Sequence, residues 1–115
     1  MNINDVTYEW EFPQLEIQPN NIERPNMVYN VYWKFNGTYG SYSATKTGII
    51  DIPYNPNDVW VEFADLTKDE VQHWVEDRML RFSEDAITLL KEELAQKIEE
   101  QINPPSVTIK SPWLQ

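Results

Sequence analysis

His73 is the single imidazole of a 115-residue chain that has no cysteine, and those two facts bound the chemistry more tightly than any motif. A lone histidine serves as a general base only beside a nucleophile or a bound metal. This one stands next to Trp74 in a helical segment, on the side away from the apolar Val71 and Val75 stripe, which is where a surface histidine sits. A zinc pattern would need a second His or a Cys. Carboxylates are plentiful: Glu9 and Glu11 fall on one strand face, and Glu92, Glu93, Glu99 and Glu100 on the outer face of a helix. Acid/base or Mg²⁺ chemistry would require some of these to converge. Their spacing fits solvated surfaces instead. No Asp-x-Asp-x-Asp loop and no Gly-rich phosphate cradle occurs, and the chain holds three glycines in all. The expectation is a protein with no catalytic, cofactor-binding or metal-binding residues, hence not an enzyme and without cofactors.

Charge and composition point the same way. Asp and Glu number 19 against 9 Lys and Arg, for a net charge of −10. That balance repels nucleic acid and anionic membranes and suits a basic protein partner. No apolar run approaches the ~18 residues of a membrane span. The opening MNINDVTYEW lacks a basic segment followed by an apolar one, so no signal peptide is expected. Five Trp, six Tyr and four Phe supply large buried areas and also suit contact surfaces.

The elements that hold these residues follow from periodicity. Val6, Tyr8, Trp10 and Phe12 alternate with Thr7, Glu9 and Glu11, the period of a strand with one buried face. Pro13 marks a break, bulge or edge, after which Leu15 and Ile17 resume the alternation. Residues 19–26 (PNNIERPN) read as a loop. A second strand begins at Met27, with Met27, Tyr29, Val31, Trp33 and Phe35 on one face and Val28, Asn30, Tyr32 and Lys34 on the other. Asn36-Gly37 is a type I′ hairpin signal. A two-residue turn there places Trp33 opposite Gly40, Val31 opposite Tyr42 and Tyr29 opposite Ala44; a longer loop reaching Gly40 is the alternative. The third strand then spans about Ser41 to Ile52, with a bulge at Gly48. After the PYNPND loop, residues 59–63 (VWVEF) form a short strand or an extended lead-in.

Helical signals fill the second half. Thr67 and Glu70 fit a capping box, and Leu66 and Val71 fit a hydrophobic staple. Val71, Trp74, Val75 and Met79 form the buried stripe of the first helix. Ser83, followed by Glu84 and Asp85, reads as the cap of a second helix running from about Glu84 to Gln101. Its apolar stripe is Ile87, Leu90, Leu94, Ile98 and Ile102, widened by Leu89 and Ala95. Asn103-Pro104-Pro105 ends it. In residues 106–115, Val107 and Ile109 alternate with polar residues before Pro112-Trp113, which suits either a last strand or an arm. The expected fold is one α+β domain over residues 1–115: an antiparallel N-terminal meander of three to four strands packed against two C-terminal helices.

Several segments together carry a family likeness. They are Tyr8-Glu9-Trp10, Val28-Tyr29-Asn30-Val31-Tyr32-Trp33, Phe63-Ala64-Asp65-Leu66-Thr67 with Trp74-Val75-Glu76, then Gln101-Ile102-Asn103-Pro104-Pro105 and Pro112-Trp113. In this order the chain resembles a group of small, mostly uncharacterised proteins of tailed bacteriophages, including phages of marine cyanobacteria. The resemblance spans nearly the whole chain, and its motifs are structural. It implies a phage setting and, by association, a structural or accessory part of the virion on the capsid, neck or tail, assembled in the host cytoplasm. Its implied partners are other phage structural proteins and further copies of itself, with no nucleic acid and no membrane. The competing expectation is a phage protein outside the virion that binds and modulates a host protein. In either case Tyr32, Tyr39, Tyr54, Trp60 and Trp113 are the interface candidates, because the predicted core leaves these rings unused.

Overall fold

The structure, a computed structural model, describes residues 2–55, 57 and 60–114. Strands β1 (Thr7–Gln18), β2 (Met27–Tyr39) and β3 (Tyr42–Asp51) form an antiparallel sheet in the order β1-β2-β3. Helices α1 (Lys68–Phe82) and α2 (Ala86–Ile102) follow, and the fold is α+β. Both helices pack on one face of the sheet. Trp10, Val31, Trp33, Phe35 and Ile50 from the strands meet Val71, Val75, Met79 and Leu94 from the helices in the main core. Val6, Ala95 and Ile98 extend it toward the hairpin end.

The β2–β3 hairpin corrects the expected turn. Asn36 and Gly37 lie inside β2, paired with Thr45 and Ala44, and the chain reverses at Gly40-Ser41 between Tyr39 and Tyr42. Of the two turn residues only Gly40 has a positive φ, +58°, as a type II′ turn requires at its first position. Val31 consequently faces Ile50, Trp33 faces Gly48 and Gly37 faces Ala44. The Asn-Gly turn would have cut β2 short. Moving the reversal to residue 40 lets ten pairs form, from Asn30↔Asp51 to Tyr39↔Tyr42, and puts Gly37 where Val6 and Leu94 close in on it. Burial and pairing thereby outweigh a local turn preference of the kind that register depends on.

Bulges occur between β1 and β2, whereas the β2–β3 ladder runs unbroken through Gly48. Phe12 and Pro13 together oppose Trp33 on β2, which shifts the parity of β1 so that Leu15 and Ile17 stay on the helix side with Tyr8 and Phe12. This is the use of Pro anticipated for an edge strand. The second irregularity leaves Tyr29 as the extra residue between Asn30 and Val28. Val28 therefore enters the core, while the Tyr29 hydroxyl turns to Glu16 on the other face. The expected in/out alternation of β2 holds from Val31 to Phe35 and inverts at Val28 and Tyr29.

Helix α1 starts as its cap dictates: Thr67 Oγ1 accepts the Glu70 amide at 3.2 Å. Glu70 does not return the bond, so only the first half of the capping box is formed. Thr67→Ala is expected to lower stability by about 1 kcal/mol, read as a shift in urea midpoint at constant slope. Ser83 closes α1, its amide bonded to the Met79 carbonyl, and its Oγ accepts the Asp85 amide at 3.3 Å. Helix α2 then starts at Ala86, two residues later than expected, because Glu84 and Asp85 are spent in a turn between the helices. Its stripe buries Leu94, Ala95 and Ile98, and leaves Leu89 exposed. Val59 lies outside the described residues; residues 60–62 form no strand, and Phe63–Asp65 is a single 3₁₀ turn leading to Leu66.

Residues 103–114 form neither strand nor helix, and nearly all are exposed. The molecule measures 72 × 29 × 24 Å with a radius of gyration of 19.4 Å, against about 13 Å for a compact chain of this length.

Candidate interaction surfaces

The helices cover one face of the sheet and leave the other open. On the open face Glu11 accepts from Asn36 Nδ2 at 3.0 Å and lies 3.7 Å from Lys34 Nζ; Thr45 donates to Asn36 Oδ1 at 2.6 Å. Farther along, Glu16 accepts from the Tyr29 hydroxyl and from Asn30 Nδ2, each at 3.2 Å. The hydrogen bond to Glu16 is the main reason the Tyr29 phenol is raised above its ordinary value; for Tyr32 the Glu16 charge comes first and a hydrogen bond to it second. The acids of this face are thus held by neighbouring donors in separate pairs. His73 is exposed on α1. Among the described residues no three His, Asp or Glu side chains are grouped to hold a metal ion.

The five ring candidates fall in four places. Tyr32 is half-buried on the open sheet face. Tyr39 is exposed beside the Gly40-Ser41 turn, opposite Tyr42. Tyr54 and Trp60 are brought together: the Arg24 guanidinium lies 5.0 Å from the Tyr54 ring centre and 5.6 Å from that of Trp60. Tyr54 donates its hydroxyl to the Glu23 carboxylate, the first cause of its raised pKa. Trp113 is 80% exposed on the segment beyond α2. The clamp of Arg24 between two rings escapes a sequence reading, since Arg24 and Tyr54 are joined only by the pairing of the strands between them. Beside it an open pocket of about 620 Å³ is bordered by Ile22, Tyr29 and Tyr54.

Two further features were not visible as sites in the sequence. One is a groove of about 370 Å³ between β1 and α1, floored by Phe12, Leu15, Leu66 and Val71. The other is the apolar character of the segment after α2: Val107 is 70% and Ile109 76% exposed, and Leu114 is also exposed. Alternation at Val107 and Ile109 hinted at the second. Nothing local hints at the first, because its walls come from residues far apart in the chain.

The model of one family matches residues 5–113. The chain belongs to the DUF7936 family, described as a domain of unknown function. The DUF7936 match takes in all three strands, both helices and the segment out to Trp113. Comparison with curated proteins and with solved structures gave no match. No helix among the described residues of this DUF7936 chain is long and apolar enough to cross a membrane.

One ion pair ties the sheet to α2 and gives a titration test. Lys46 Nζ donates to Glu93 Oε2 at 2.7 Å, and Lys97 lies 3.9 Å from the same carboxylate. The hydrogen bond from Lys46 holds the Glu93 carboxyl below its ordinary value of 4.5; burial opposes this, and the charges of Lys46 and Lys97 reinforce it. A carboxyl with a depressed folded-state pKa contributes stability that is present above the unfolded value and is lost as pH falls through the folded one. Lys46→Met is therefore expected to move the Glu93 titration upward, toward the ordinary carboxylate range, in an NMR titration of its side-chain carboxyl. An unmoved titration would show that Lys46 does not hold it.

Proposed function

We propose that this protein is a non-enzymatic structural or accessory component of a tailed-phage virion, on the capsid, neck or tail, working through protein–protein contacts with other structural proteins and with itself. The phage setting rests on the resemblance of its ordered segments to small tailed-phage proteins. The observation that carries the contact role is the segment after α2, where Val107, Ile109, Trp113 and Leu114 lie exposed in a stretch without strand or helix. Several apolar side chains exposed close together along one segment are the kind of surface that marks a protein contact. The clamp of Arg24, Tyr54 and Trp60 adds a second aromatic and Arg-bearing patch, the composition enriched at interface centres. Mass spectrometry of purified particles tests the reading: the chain should be found in stoichiometric amount, and its absence would sink the proposal.

The alternative is a non-virion phage protein that binds a host protein. Its support is the net charge of −10, which suits a basic target that ordinarily holds nucleic acid. Affinity purification from infected cells separates the two. A single dominant host protein favours this alternative, and a set of particle proteins favours the first.

A further inference from the structure

Strand β1 is an edge of the sheet, with β2 as its one neighbour among the described residues, so alternate backbone N–H and C=O groups along it point away from the sheet. The groove lined by Phe12, Leu15, Leu66 and Val71, together with Glu11, Thr67 and Lys68, lies at that edge on the helix side. On the opposite side of the same edge stand Glu11 and Glu16, marked as outward-facing by their Lys34, Asn30 and Asn36 partners, while Glu9 pairs with Lys68 of α1. An extended segment added here would therefore meet an apolar floor with one set of alternate side chains and carboxylates with the other.

Residues 106–110 (SVTIK) have this pattern. Val107 and Ile109 fall on one side of an extended chain, and Thr108 and Lys110 on the other. Lys110 is the only charged residue between 103 and 114 in a chain of net charge −10. With Val107 and Ile109 in the groove, the period of two places Lys110 among the glutamates, whichever way the strand runs. Room is sufficient: an apolar cavity of ~150 Å³ accepts benzene, and the groove offers about 370 Å³ for two branched side chains. The other edge fits less well. On β3 the Ser43 carbonyl already accepts Gln101 Nε2 at 2.7 Å, and Asp51, its one acid, is held by Arg78 at 2.9 Å.

We propose that residues 106–110 of one copy add as a fourth strand to the free edge of β1 in a second copy of this chain, seating Val107 and Ile109 between β1 and α1. This rests on the reading that the protein acts through protein contacts, and it names the partner of the exposed segment after α2. From Ile102, the end of α2, to Val107 an extended chain reaches about 17–18 Å, so the neighbour's β1 edge lies close to the end of α2. Strand addition gives main-chain hydrogen bonds for affinity and a side-chain pocket for specificity. Lys68, at the groove mouth, pairs with Glu9 at 3.3 Å; that exposed pair yields at little cost.

The cysteine-free sequence makes the test direct. Chains carrying Ile109→Cys are mixed with chains carrying Leu15→Cys and oxidised mildly, with Ile109→Cys plus Ile49→Cys, on the exposed face of β3, as the control. Neither variant alone can close a bond within one chain. The expected result is a disulfide-linked pair from the first mixture, several-fold in excess of the control. Sedimentation of the unmodified 115-residue chain should give a multiple of 13.6 kDa, falling to the single-chain mass in Ile109→Asp. A monomeric unmodified chain, equal linkage in the control, or an unchanged mass in Ile109→Asp each overturns the proposal. Because this assay uses purified protein, its failure leaves the particle result standing, and absence from particles leaves this result standing.

Discussion

Phe35→Ala is expected to cost about 3–5 kcal/mol, the range for deleting a fully buried aromatic ring. Phe35 is 2% exposed at the centre of the middle strand. Its ring lies 4.4 Å from Trp10 and stacks on Tyr8 at 5.5 Å, nearly parallel at 5°. Trp10 in turn meets Trp33 edge-on at 5.7 Å. Removing Phe35 therefore empties a site whose walls are rings already fixed by one another, so collapse into the cavity is limited. Aromatic pairs add ~0.5–1.5 kcal/mol beyond area burial, and two such pairs are lost. Against a total of ~5–15 kcal/mol for a domain, the variant should be marginal at room temperature. Urea unfolding followed by Trp fluorescence would read the change as a lower midpoint. Leu89→Ala, at a residue 56% exposed on α2, should stay within ~0.5 kcal/mol and serves as the control.

Gly48→Ala is expected to destabilise by about 1–3 kcal/mol, through crowding in place of a cavity. A Cβ at residue 48 would sit 2.4 Å from Trp33 Cζ2 and 2.6 Å from its Cε2. Both atoms belong to a rigid bicyclic ring that cannot swing aside as a flexible side chain does, and Trp10 backs it. Either β3 bends away from β2 or the indole leaves its place over residue 48. The second outcome would also change the indole environment, so near-ultraviolet circular dichroism should alter even where the fold survives. Gly37→Ala supplies a graded comparison: its nearest neighbours are Val6 Cγ1 at 3.1 Å and Leu94 Cβ at 3.5 Å, and small aliphatic shifts can absorb part of that, so its loss should be the smaller of the two.

The interface candidates show what reading residues in order leaves out. Trp113 belongs to no strand or helix pattern, and it is exposed. Tyr54 and Trp60 are likewise rings that the predicted core leaves unused. What joins them is Arg24, and its role depends on two loops meeting at the end of the sheet. Strict alternation places Tyr29 in the core, and one extra residue in β2 sends it to Glu16 instead. A bulge of this kind leaves no mark in the hydrophobic pattern, since Val28 and Tyr29 are both plausible inward residues.

The sequence by itself determined the α+β class, the core face of β1, the Thr67 start of α1 and the buried stripes of both helices. Each follows from a local period or a cap whose partners lie within a few residues. Only the tertiary structure decided the β2–β3 register. A turn at Asn36-Gly37 and one at Gly40-Ser41 differ by an even number of residues in the partner of every β2 position, so both keep the same β3 side chains facing the helices. Alternation could not choose between them, and in each a large residue meets a small one, Trp33 with Gly40 or with Gly48. The choice falls to the longer ladder and to the closeness of Gly37 to Val6 and Leu94. The groove between β1 and α1 is of the same kind. Phe12, Leu15, Leu66 and Val71 are ordinary apolar residues in sequence, and they become a surface only when α1 settles beside a strand that pairs with β2 alone among the described residues.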